Sequence, residues 1–185
     1  ALSDDKKRLH VFLGDAIGHG VPAAFMTMMV RIGLDSMRKT WLPGTVMNEL
    51  NSLIAPRTST GSFMTSICFT ATIAGELSVA TAAHPPLILI PANGEAVRTF
   101  IQQRGVPIGI ANFTVAPYLE EVCQLQDGDK FFIFTDGVDE WKNPNEERFG
   151  LERLIIFLTK NRQYEPEEIL DRLFDEIHLF AKGTP

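Results

Sequence analysis

Two aspartates carry the chemistry this sequence offers. Asp136 ends the apolar run Lys130-Phe131-Phe132-Ile133-Phe134-Thr135, and Gly137 follows it. Asp15 follows His10-Val11-Phe12-Leu13-Gly14 and leads into Ala16-Ile17-Gly18-His19-Gly20. A buried strand that ends in a carboxylate aims a charge out of the core at a fixed place. The glycines let the backbone turn sharply and a ligand come close. An Asp beside Gly also serves as a helix cap or a turn former. Two such aspartates that meet in space make a hard, oxygen-rich cation site.

Competing chemistries lack their residues. A cysteine phosphatase needs a thiolate in a phosphate-cradling loop that leads to an Arg. Cys68 is followed by Phe-Thr-Ala-Thr-Ile and Cys123 by Gln-Leu-Gln. The Gly-x-Ser-x-Gly elbow of serine hydrolases is absent, as is a Gly-Lys-Ser/Thr phosphate loop. Asp127 and Asp129 start like a calcium loop, but Phe131 takes the third ligand position, so a solvated turn is the better reading. His and Cys show no zinc spacing.

The elements that must position these residues alternate in period. Arg8 to Leu13 reads as a strand and Gly14 to Gly20 as a loop. A helix spans about Pro22 to Lys39, with Phe25, Met28, Met29 and Ile32 as its core face. Pro43-Gly44 breaks the chain before a helix from about Thr45 to Ala55, which Thr45 caps. Phe63 to Ala74, Glu76 to Ala82, Pro86 to Pro91 and Ala96 to Ile101 read as successive antiparallel strands, with turns at Gly75 and Asn93-Gly94. Leu119 to Cys123 and Lys130 to Thr135 are two more. Helices over about Leu151 to Lys160 and Pro166 to Ala181 close the chain. Helices, then strands, then helices argue α+β, built as two packed sheets with helices outside.

The 185 residues carry a formal net charge of −6, and 45% are hydrophobic, so one domain with a sizeable core is expected. Basic residues are scattered, which argues against nucleic acid. No apolar run reaches the roughly 18 residues of a membrane span, and no signal peptide is visible. Cys68 and Cys123 read as buried free thiols, which fits a cytoplasmic protein.

The segment Gly14-Asp15-Ala16-Ile17-Gly18-His19-Gly20-Val21-Pro22-Ala23-Ala24 closely resembles the SpoIIE/RsbU-type bacterial phosphatases, a branch of the metal-dependent PPM (PP2C-like) Ser/Thr phosphatases. Phe63 to Thr70, Ala82-Ala83-His84-Pro85-Pro86, Arg104-Gly105-Val106-Pro107-Ile108-Gly109 and Phe134 to Glu140 resemble the family's next blocks, in its order. Asn143-Pro144 and Phe149-Gly150 fit too. The resemblance implies two central antiparallel sheets flanked by helices, with two Mn²⁺ or Mg²⁺ ions at one end. It implies that Asp15 bridges both ions, the backbone carbonyl of Ala16 holds one, and Asp136 holds the other. It implies hydrolysis of phosphoserine or phosphothreonine, often on a STAS-type anti-sigma-factor antagonist, under an upstream sensory or receiver domain in the same chain. The alternative is a phosphatase-like module that has lost catalysis and binds a partner.

The other polar residues have plainer readings. His19 reads as loop packing, with ligation or proton donation as the alternative. His84 reads as a hydrogen-bonded structural histidine, and His10 and His178 as surface residues. Glu140 matches a family position near the site; Asp139 reads as solvated. The helix after Gly20 could transmit a signal by shifting Asp15. The family's opening Gly-Gly-Asp block and closing Asp-Asp-x-Thr block have no match here, so the chain reads as part of a longer protein. Two acidic ligands, where the family uses about four, predict weak or absent metal in this chain alone.

Overall fold

The computed structural model describes residues 7–37, 41–58, 61–100, 105–110 and 118–182. They fall into two compact units, Ala1–His84 with Ile101–Leu125, and Pro85–Phe100 with Gln126–Pro185. The expectations for Lys39, Ile101 and Arg104 lie outside the described residues.

The first unit holds strand β1 (Arg8–Ala16), helices α1 (Val21–Ser36) and α2 (Pro43–Ile54), and strands β2 (Met64–Thr72), β3 (Glu76–Ala82) and β6 (Glu121–Gln124). Its sheet is antiparallel, in the order β1-β2-β3-β6. Gly75, at φ 83°, turns the tight β2–β3 connection in a conformation that favours glycine. Helix α2 packs on β2 and β3 and buries Val46, Met47, Leu50 and Ile54 completely. Each such side chain contributes about 1.5–3 kcal/mol.

The second unit holds β4 (Leu87–Ile90), β5 (Arg98–Phe100), β7 (Lys130–Phe132), the one-turn helix α3 (Asp136–Asp139), α4 (Gly150–Asn161) and α5 (Pro166–Ala181). Its antiparallel sheet runs β5-β4-β7. Leu154, Phe157 and Leu158 of α4 pack with Ile169, Leu173 and Ile177 of α5 against Ile88 and Ile90. The α+β class and the two antiparallel sheets with helices match the expectation. Strands near in sequence are not always neighbours, because the chain leaves the first sheet after β3 and after β6.

Several boundaries differ, each for a local reason. Strand β1 continues through Gly14, Asp15 and Ala16, which pair with Ser66, Thr65 and Met64. Pro43-Gly44 does not break the chain: Pro43 opens α2, where its missing N–H costs nothing, and Leu42 rather than Thr45 takes the cap position. Strand β7 stops at Phe132, before Ile133 to Thr135.

The largest correction concerns α1. Phe25, Met28 and Ile32, expected in the core, are 62%, 59% and 62% exposed. The buried stripe is Met26, Val30, Gly33 and Met37, one residue round the helix. A Cβ on Gly33 would stand 2.7 Å from Leu50 and 3.2 Å from Leu53. So α1 crosses α2 closely at that glycine, and the crossing fixes the buried face.

Candidate metal centre

In the first unit, Asp15 and Ala16 are the last residues of β1, held there by the β2 ladder. Asp15 is half-buried, and Thr65 is its partner across the strands. The ladder is extended by the Ile17 N–H, which donates to the Phe63 carbonyl at 3.0 Å. Beyond it Gly18 and Gly20 take φ of 80° and 75°, and Gly20 caps α1 without a side chain. These values let an exposed loop turn directly from the strand end into a helix. His19 is exposed on that loop.

His84, 2% exposed, places Nδ1 3.1 Å from the Thr65 hydroxyl. That is the buried, hydrogen-bonded histidine the sequence suggested. His10 is not at the surface as expected. It is 8% exposed, bonds the Thr70 hydroxyl through Nδ1 at 2.9 Å, and lies 5.1 Å from the Trp41 ring. Cys68 is buried and Cys123 half-buried, both free thiols. Burial, with Glu120 adding to it, pushes the Cys68 thiol up, so it stays protonated and unreactive.

In the second unit, Asp136 is the first residue of α3 and is exposed. It does not sit at a strand mouth: three residues separate it from β7. The Glu140 N–H donates to its backbone carbonyl at 2.9 Å, which closes the turn. Asp139 is not solvated as expected. Its Oδ1 is buried without a hydrogen-bond partner. Burial, with Glu140 and Asp136 adding, raises its carboxyl above the usual range, against a backbone hydrogen bond and Arg148. Glu140 pairs with Arg148 at 2.7 Å. Asn143 holds the following loop by accepting the N–H groups of Asn145 and Glu147. His178 is exposed, edge-on to Trp141.

Asp129 closes the β6–β7 turn. Its two oxygens accept the N–H groups of Ala92 and Gln126 at 2.8 and 2.9 Å. A cavity of about 450 Å³ beside Phe149, Arg153, Phe157 and Arg172 contains none of the expected ligands.

Asp15, Ala16 and Asp136 each offer oxygen, the donor type that Mg²⁺ or Mn²⁺ takes. Among the described residues, no three His, Cys, Asp or Glu side chains cluster to hold a metal. The donor type fits those ions, and the clustered carboxylates among the described residues are fewer than two divalent ions need.

Relatives show the family and the fold. The family profile described as Stage II sporulation protein E (SpoIIE) matches residues 5–185. Phosphoserine phosphatase RsbU of Bacillus subtilis is 25% identical over 179 residues, covering 94% of this chain. The chain spans about half the length of that relative, 51%. The SiaA-PP2C domain of Pseudomonas aeruginosa superposes with a TM-score of 0.77 at 22% identity, over 100% of this chain and 78% of that one. The phosphatase domain of SpoIIE from Bacillus subtilis, solved with a fragment of its regulatory domain, gives 0.76 at 17% identity, over 97% and 52%. These likenesses show a PP2C-like fold. No helix among the described residues is long and apolar enough to cross a membrane.

Proposed function

Because this chain belongs to the SpoIIE family, we propose that it is the phosphatase domain of a metal-dependent protein serine/threonine phosphatase. The proposed ligands are Asp15, the backbone carbonyl of Ala16, and Asp136, holding two Mn²⁺ or Mg²⁺ ions. Such ions lower the pKa of bound water and neutralise phosphoryl oxygens. Asp15 contributes a charge whose position the β1–β2 ladder sets. Gly18 and Gly20, with open space where a Cβ would stand, keep those two points of the neighbouring loop clear for a phosphorylated residue. No side-chain nucleophile is required, which agrees with the missing cysteine and serine motifs. The substrate class is a phosphoserine or phosphothreonine on a partner protein, a STAS-type anti-sigma-factor antagonist being the one the resemblance favours. An upstream sensory or receiver domain in the same chain would control it.

The observation that carries this reading is Asp15, held in the last-but-one pair of a nine-residue strand and followed, from three residues on, by the positive-φ glycines Gly18 and Gly20. One observation favours a second reading, a partner-binding module without catalysis: the small number of clustered carboxylates among the described residues. Hydrolysis of an aryl phosphate by the full-length protein, with Mn²⁺ and then with a chelator, separates the two. Turnover that stops with the chelator supports the enzyme; none in either condition supports the module.

A further inference from the structure

We propose that Thr65 and His84 form a positioning pair that orients the Asp15 carboxylate; this rests on Asp15 being a metal ligand, as proposed above. Asp15 and Thr65 are direct partners in the β1–β2 ladder, so their side chains leave the same face of the sheet. Directly opposed side chains stand with Cβ atoms about 5 Å apart. That brings the Thr65 hydroxyl within reach of the carboxylate.

The other side of that hydroxyl is taken by His84, whose Nδ1 is 3.1 Å away. The imidazole is 2% exposed, so the surrounding protein fixes its orientation. The backbone is bent to put it there. Ala83 adopts φ 54°, a left-handed conformation that costs a residue with a side chain roughly 1–2 kcal/mol. Bridges of Ser66 to Ala83 and of Ala82 to Gly105 hold this turn beside β2. A strained residue kept in place next to a buried polar group marks a position where geometry serves more than packing.

The proposed pair needs its hydrogen bonds to run in one direction, set by the His84 tautomer. With Nδ1–H donating to the Thr65 oxygen, the hydroxyl proton is left to donate to Asp15. The carboxylate would then be held in one rotamer, with its remaining lone pairs left for a cation. Carboxylate ligands commonly depend on such partners, and losing one weakens metal binding by about 10–100-fold.

The test is Mn²⁺ titration of the full-length protein, followed by electron paramagnetic resonance, beside thermal melts of the metal-free protein. The variants are Asp15→Asn, Thr65→Val and Thr65→Ser. Thr65→Val keeps shape and strand preference but removes the hydroxyl. It is expected to weaken Mn²⁺ binding about 10–100-fold with the metal-free melting temperature unchanged, and Thr65→Ser is expected to restore affinity. Unchanged affinity in Thr65→Val, with Asp15→Asn abolishing binding, overturns the positioning pair alone. A loss that Thr65→Ser does not recover overturns it as well. If Asp15→Asn binds Mn²⁺ like the unaltered protein, the ligand assignment itself fails.

Discussion

The Glu120 carboxylate accepts the backbone N–H of Gly44 at 2.9 Å, at the first turn of α2. Its second oxygen accepts the Ser78 hydroxyl of β3 at 2.7 Å. A side chain 76 residues away thus does the work of a helix cap and ties α2 to the sheet. It also places negative charge at the positive end of the helix. Glu120→Ala leaves the N–H and the hydroxyl without this acceptor. It is expected to cost about 1–3 kcal/mol in urea unfolding. Glu120→Gln keeps one acceptor and is expected to cost less.

Tyr118 gives the first unit an alkaline limit. It is 4% exposed and donates its hydroxyl to the Val106 carbonyl at 2.9 Å. Burial raises its phenol from 10.0 to about 12. The folded state therefore keeps a proton that the unfolded chain loses. The stabilisation is complete below pH 10 and falls as pH rises through about 12. The total is up to about 2–3 kcal/mol. Unfolding free energies measured from pH 9 to 12 should decline, and Tyr118→Phe should flatten that part of the slope.

The exposed and buried stripes of α1 predict opposite responses. Phe25→Ser and Ile32→Ser replace side chains that are 62% exposed, and stability should change by no more than about 0.5 kcal/mol. Met26→Ala empties a site that is 2% exposed and should cost about 2–5 kcal/mol. Denaturant midpoints of the three variants check this. A large loss in Phe25→Ser with none in Met26→Ala would reverse the assignment of the faces.

Elements with a clean period were legible in the sequence. β3 spans Glu76–Ala82 and α5 spans Pro166–Ala181 as read, because alternation and a single apolar stripe leave no choice. Helix α1 was misread because it is apolar on nearly all sides, so spacing could not pick a face. The usable signal was Gly33, a poor helix former in a helix interior, which marks where α2 approaches. Pro43-Gly44 was read as a break because a proline signals a stop and a helix start alike. For the proposed site, the strand-then-glycine pattern singles out Asp15, and the family resemblance adds Ala16; both end β1. The same pattern singles out Asp136, which a short loop and not a strand delivers. The buried oxygen of Asp139 and the contact of Thr65 with His84 depend on long-range packing. Nothing local in the sequence encodes either.

The central claim is that Asp15 and Asp136 act as ligands of catalytic cations. Its most direct test is the Mn²⁺-dependent release of phosphate from a phosphoserine peptide by full-length protein carrying Asp136→Asn. The expected rate is at least about 100-fold below that of the unaltered protein, with the fold preserved by circular dichroism. A variant that turns over at the unaltered rate, with or without a chelator, would contradict it.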